Sequence, residues 1–447
     1  MTGVGTSSQP ATGARPGTGS TADVRSGPRA MARWWASPPG RLRLISMVLT
    51  GLLVALWITA FVATRARQGA LDALSGRPDG GHAATLTTAL RLRSDLAAAD
   101  AAATRARLGG NGGDEVARAQ EAYRRAMTDA GGQLVALARA AADQTPALTV
   151  IVTQLPRYGA EVERAQAERS ELMWGTLVPA TDRIVAAEQA GVERELRRAD
   201  GTGPLLGIVV IGTMAFGALV ATQVWLVGRT NRILSPALAA AALLSAVAVG
   251  WALVAFGAQR DHLADAREHG YRPLTAASQA RVLALRGRTD DIRALLDRPD
   301  APRLDADSAA ASTRLHHDPD ATSATSDSGG LLATIGAPAG PDQAARAALT
   351  PAWSAYQDVA TRIREDVDRP DGLWPAALLA QRDATVAFRA FDDRSVAVVG
   401  TSRAHLADDL SAAADALGLA PAAVSIALGL AVILTLVGLQ LRINDYR

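Results

Sequence analysis

The chain has 447 residues, a formal net charge of +2, 46 basic residues that are all arginine, and no cysteine. Without lysine there is no Schiff-base or phosphate-loop chemistry, and without cysteine there is no disulfide, thiolate nucleophile or zinc–thiolate site. So small a net charge leaves no electrostatic footprint for nucleic acid.

Residues 1–43 are Gly, Thr, Ser, Ala and Pro with scattered arginines, too poor in large apolar side chains to fold alone, and read as a disordered basic tail. An apolar run at 44–64 follows, long enough to cross a hydrocarbon core of roughly 20 residues and flanked by Trp34, Trp35, Arg41 and Arg43. It continues to Arg65 and Arg67 without a cleavage signature, so it reads as a retained anchor. Those two arginines oppose the positive-inside bias carried by the rest of the chain.

Residues 65–203 predict four helices. Leu86, Leu90, Ala97 and Leu108 line the first, which the glycine-rich stretch 109–113 ends. Asp114 and Glu115 open the second, with acids at its positive end. Leu148, Ile151, Val152, Leu155, Tyr158 and Val162 form one face of the third, and Leu177, Ile184, Val185, Val192 and Leu196 one face of the fourth. Pro156 and Pro179 predict a kink or a helix start.

Two more spans, 204–227 and 236–257, are joined only by the basic turn 228–235, whose Arg229 and Arg232 mark it as cytoplasmic. Residues 258–417 repeat the helical plan around a polar segment, about 304–343, that reads as a flexible insertion. A fourth span at 418–441 leads to a short tail at 442–447. The fold class is therefore an all-α integral membrane protein with four transmembrane helices and two tandem external up-and-down bundles, multi-pass in the cell membrane with both termini cytoplasmic.

The two halves also match in letters. LRLRSD at 90–95 recurs as LRGRTD at 285–290, Tyr158 recurs as Tyr356, and Pro204, Gly212 and Gln223 recur as Pro421, Gly429 and Gln440 at one common offset. That is the trace of a duplicated membrane-helix, bundle, membrane-helix unit.

The repeated motif supplies the candidate ligand or partner residues: Arg91, Arg93, Asp95 and Tyr158 in the first half, and Arg286, Arg288, Asp290 and Tyr356 in the second. Arginine and aspartate four apart make an intrahelical ion pair worth a few tenths of a kcal/mol. The same arginines could instead be offered between helices to an anion such as an amino-acid carboxylate. Arg229, Arg232, Asp445 and Tyr446 are the candidates for cytoplasmic output. The histidines at 316 and 317 fall in the polar segment and read as a solvated loop, and the 109–113 glycines lack the strand and lysine of a phosphate cradle.

No metal or cofactor is expected. The spans carry no charged residue, which argues against a transporter, and the cytoplasmic segments are too short for a catalytic domain. The expectation is a non-enzymatic transducer that signals through a partner, with a cell-envelope scaffold or a transporter accessory protein as the alternatives; homo-oligomerisation stays open.

Three stretches, LPRYGAEVE at 155–163, ARVLALRGRTD at 280–290 and the ending LRINDYR at 441–447, resemble the actinobacterial GlnX family. The resemblance implies a membrane sensor that works with GlnH, an amino-acid-binding lipoprotein outside, and reports to PknG, a serine/threonine kinase inside. It assigns no ligand residues, and the polar segment at about 304–343 departs from it.

Overall fold

The computed structural model describes residues 38–76, 81–109, 113–164, 169–230, 235–316, 330–336, 340 and 342–444. Among these the chain is all-α without a strand, and four of its helices are long and apolar enough to cross a membrane. The protein is thus a multi-pass membrane protein of helical class.

Helix α1, Pro38–Ser75, does not stop where its apolar run ends but continues as one rod. In the first half α2 is His82–Leu108, α3 Asp114–Ala140 and α4 Thr145–Glu163. A helical turn, α5, Arg169–Leu172, passes through a π-helical turn, Met173–Leu177, into α6, Val178–Asp200. Helix α7, Gly203–Thr230, recrosses the apolar layer, and α8, Pro236–Asp265, returns. A second π-helical turn, Ala266–Tyr271, carries α8 into α9, Arg272–Leu296. Then come α10 Ala301–His316, α11 Leu331–Gly336, α12 Gln343–Ala347, α13 Leu349–Val367, α14 Leu373–Gln381, α15 Asp383–Leu417 and α16 Ala420–Asn444.

The four apolar helices close into a ring in which α1 touches α7 and α16, and α8 touches the same two. Met47, Val210, Val254 and Ile426 face outward, while Leu49, Leu53, Leu219, Leu238 and Leu439 pack inside. Small residues let the backbones close up: a Cβ at Gly212 would stand 2.9 Å from Val249 of α8.

The remaining helices form a head on one side of this ring. In its first half α2 packs on α3 and α6, and α4 packs on α3 and α6, which makes the expected up-and-down bundle. In its second half α9 packs on α10 and α15, and α13 packs on α15. Exchanging the halves preserves most of these contacts, because α1 packs on α6 as α8 does on α15, and the α2–α9 contact maps onto itself, whereas the α3–α4 contact has no equal between α10 and α13. The two bundles are not separate bodies in tandem; they share a seam along α2 and α9, and Ala97 and Ala101 of α2 belong to the same core as Ala277 and Ala284 of α9.

Several local expectations need correction. The polar segment begins as a helix: α10 buries Leu304, Ser308, Ala311 and Leu315 against α9, a face whose small residues disguised its three- and four-residue period. Leu331, Leu332 and Ile335 of α11 are buried as well, and 317–329 lies outside the described residues. Pro156 stands inside α4 without ending it, on the exposed face where the carbonyl left without a donor is open to solvent, and Val152 is exposed too, so the apolar face is narrower than its sequence implies. Pro179 lies in the first turn of α6, where it is tolerated. Gly113, with φ at +123°, launches α3 from a conformation that glycine alone accepts easily.

Candidate functional site

The seam between the halves gathers the repeated motifs, but it gives their members different roles. Arg91 is exposed and makes no contact ion pair with Asp95, acting on it only as a weaker, more distant charge. Arg93 instead pairs across to Asp182 of α6 at 2.7 Å, inside the first bundle. In the second half Arg286 does reach Asp290, at 3.8 Å, and Asp290 is also 3.8 Å from Arg293. Arg288 turns inward, 5% exposed, with Nη2 donating to Thr385 Oγ1 at 2.8 Å and its plane over Phe388.

Across the seam, Arg281 of α9 ties three helices. It donates to Ser94 of α2, and its Nε and Nη2 donate to Asp392 of α15 at 2.6 and 3.2 Å. Two clefts, of about 310 and 720 Å³, open beside this cluster, and both are lined by Asp95, Asp129 and Arg281. The π-helical turn before α6 aims Trp174 at the same seam, where Arg286 of the other half lies 5.4 Å over its ring. Extra-residue turns of this kind recur at functional positions because they re-aim side chains without ending a helix.

The two tyrosines are buried in the core, and each reaches an aspartate on another helix. Tyr158 donates to Asp100 of α2 at 3.1 Å, and Tyr356 donates to Asp291 of α9 at 2.7 Å. Each carboxylate also accepts a serine hydroxyl, Ser170 at 3.2 Å on Asp100 and Ser308 at 2.7 Å on Asp291. Burial pushes both carboxyls up, opposed for Asp100 chiefly by Arg169 and for Asp291 chiefly by its serine and tyrosine bonds. Neither aspartate stands out in the sequence, because Asp100 lies five residues beyond Asp95 while Asp291 lies one beyond Asp290. The signal that could have found them is helical: counted from matched motifs, the two positions differ by four, one turn along the same face.

A second polar cluster sits where the head meets the ring. Arg67 of α1 is 1% exposed, donates to Gln259 Oε1 of α8 at 2.9 Å and to the Gly201 carbonyl between α6 and α7 at 2.8 Å, and lies 4.3 Å over the Phe256 ring. Close by, Arg260 of α8 pairs with Asp200 of α6 at 2.9 Å. Arg67 is therefore a tie between both halves. Of the output candidates, Arg229 stands in the last turn of α7, and Arg232, Asp445 and Tyr446 lie outside the described residues.

Burial raises Asp95 to about 6, offset by Arg281 and reinforced by Asp129, and raises Asp290 to about 7 against the opposing pull of Arg286 and Arg293. Both carboxyls hold a proton more tightly folded than unfolded, so folding takes up protons between the ordinary value of 3.8 and these raised values. Their contribution to head stability is fullest below about pH 4 and declines as pH rises through about 6 and 7. Asp290→Asn should remove the upper part of that decline, read as thermal unfolding midpoints between about pH 5 and 8; an unchanged slope in the variant would contradict the assignment.

Residues 80–197, the span from α2 to α6, match the family described as an actinobacterial sensor domain. No curated protein and no solved structure matches the chain. The match is to a sensing family and not to an enzyme family, and it covers the half that carries Asp100, Tyr158 and Trp174.

Proposed function

We propose that the chain is a non-enzymatic transmembrane signal transducer, in which the head reads external amino-acid availability and the ring passes the reading to a cytoplasmic serine/threonine kinase. The observation that carries this reading is continuity: Arg169–Gly228, Pro236–Leu296 and Leu373–Leu441 each run from the head into the apolar layer, and Arg67 ties α1 to two of them at the crossing. Rigid helices joined by a buried polar tie convert a small change in the head into a change in the ring, and a bias of about 1–3 kcal/mol between two arrangements is enough for a switch.

The sensor-domain match supports the sensing role, and the resemblance to the GlnX family supports delivery of the signal by an amino-acid-binding lipoprotein such as GlnH and its receipt by PknG. The similar packing of the main helices on exchange of the halves supports the reading of the chain as a duplicated unit. We place the head outside the cell and the turn after α7 inside, in the cell membrane.

Orientation is tested with single cysteines, since the chain has none of its own. One at Arg125, on the exposed face of α3, should react with an impermeant thiol reagent in whole cells, and one at Gly228 should not. Function is tested in cells lacking the protein, which should lose the change in target phosphorylation that follows addition of external aspartate or glutamate. A response that persists in full would favour the scaffold reading.

A further inference from the structure

The buried tyrosine–aspartate pair is built twice, and the second copy has a cavity beside it. In the first half Asp100 is closed in: one oxygen accepts from Tyr158 and Ser170, the other accepts the Trp174 indole N–H at 3.0 Å, and the fully buried Arg169 stands next to it. In the second half a cavity of about 350 Å³ opens next to Asp291, between α9, α10, α13 and α14. That volume lies at the lower end of the roughly 300–1,000 Å³ found for small-molecule sites.

The cavity wall contains a buried guanidinium that no carboxylate among the described residues meets as an ion pair; Asp392 and Glu115 act on it only from farther off. Arg288 is 5% exposed, its Nε has no acceptor, and no carboxylate lies within ion-pair distance of it among the described residues. A guanidinium buried this way is costly unless another group compensates it. Its one hydrogen-bond partner among the described residues is the Thr385 hydroxyl, a neutral acceptor.

The remaining polar groups set the ligand's chemistry. Arg298 and Arg364 join Arg288 on the wall, and Asp291, Asp305 and Asp368 face the same space, so cations and anions balance. Arg364 is already engaged with Asp291 at 3.3 Å, and Arg298 and Asp368 are exposed at the mouth, which leaves Arg288 as the buried cation and Asp305, half-buried, as the more enclosed carboxylate. A balanced lining disfavours a bare anion or a bare amine, since either would leave one of the two buried in excess. It suits a molecule that carries both charges a short distance apart. Ile292, Leu295 and Ile363 supply the apolar remainder of the wall, enough for a small aliphatic group.

We propose that this second-half cavity binds a small zwitterion of the α-amino-acid class, with its carboxylate on Arg288 and its ammonium toward Asp305 and Asp291. The site belongs to this chain alone and is independent of delivery by a binding protein, so it stands or falls apart from the signalling reading.

The test is binding to the purified full chain in lipid nanodiscs, by titration calorimetry near neutral pH with L-valine and L-alanine. L-lactate, which keeps the carboxylate but lacks the ammonium, and isobutylamine, which keeps the amine alone, are the matched probes. Valine and alanine should bind saturably, and the single-charge probes should bind at least about tenfold more weakly, because each leaves one wall charge unmatched. Arg288→Met should abolish binding with helical content retained, and Arg288→Lys should restore part of it. If Arg288→Met does not fold, Asp305→Asn, at a half-buried position, should weaken valine binding about tenfold and leave lactate unchanged. Absence of binding by both amino acids at millimolar concentration, equal binding of lactate and valine, or wild-type affinity in both Arg288→Met and Asp305→Asn would each overturn the proposal.

Discussion

Replacing Asp100 with alanine should destabilise the head by about 3–5 kcal/mol, the largest single-site loss expected in the protein. The carboxylate accepts from Tyr158, Ser170 and Trp174 and stands beside the buried Arg169, whose Nη2 otherwise donates only to Thr104 Oγ1 at 3.2 Å. Removing it strands three donors and a buried cation at once, and breaking a buried charge pair from one side costs about this much. Asp100→Asn keeps an acceptor for the tyrosine and serine but turns an amide N–H₂ toward the indole, so its loss should be smaller. The Trp174 indole reports the event directly, and denaturant unfolding followed by its fluorescence should show an early transition in the alanine variant. The matched substitution Asp291→Ala removes the same tyrosine and serine bonds from a carboxylate that borders open space, and should cost less. Equal losses at the two positions would mean that the cavity beside Asp291 contributes nothing to the difference.

The helical class and the four crossings are plain in the sequence, because an apolar run of roughly 20 or more residues finds few stable environments besides a bilayer core. Gly113 and the acids of Asp114 and Glu115 likewise mark the start of α3 where it occurs. What the sequence conceals is long-range. Arg93 reads as Arg288's equal, yet one pairs with Asp182 on another helix of its bundle and the other is buried among Phe388 and Thr385, because seam contacts and not the motif decide each arginine's surroundings. Tyr158 and Tyr356 read as ligand or partner candidates, and their bonds to aspartate are hidden because the acceptors lie 58 and 65 residues away in the chain. The face of α10 is hidden because Ala311 and Ser308 pack as core while reading as polar or neutral loop. Arg67 misleads in a related way: charge counting treats every flanking arginine as a solvated one, and this one is enclosed.

The second large effect is expected at Arg67, and it separates stability from transmission. Arg67→Met keeps much of the side chain's apolar volume but leaves Gln259 Oε1 and the Gly201 carbonyl without their donor and removes the contact with the Phe256 ring. One fully buried and one half-buried acceptor stranded together cost about 1–3 kcal/mol. Transmission should suffer more than folding, because the head keeps the Arg281 cluster and the ring keeps its own packing, while the tie between α1, α8 and the α6–α7 junction is gone. In cells the variant should be present in the membrane yet give no change in target phosphorylation when external amino acids change. Normal signalling with Arg67→Met would place the coupling elsewhere.

The most direct test of coupling between head and ring uses the diagonal of the ring. Gly228 of α7 and Leu441 of α16 stand near the ends of two helices that do not neighbour each other in it, and spin labels there report its spacing far from the head. The perturbation is Arg281→Glu, which breaks the bonds to Ser94 and Asp392 in the seam and touches nothing in the ring. The distance distribution in nanodiscs should shift when Arg281→Glu is introduced into the otherwise native chain, and should stay fixed when Arg67→Met is also present. A distribution that does not move with Arg281→Glu, while the seam itself is shown to open, would contradict transmission through these helices.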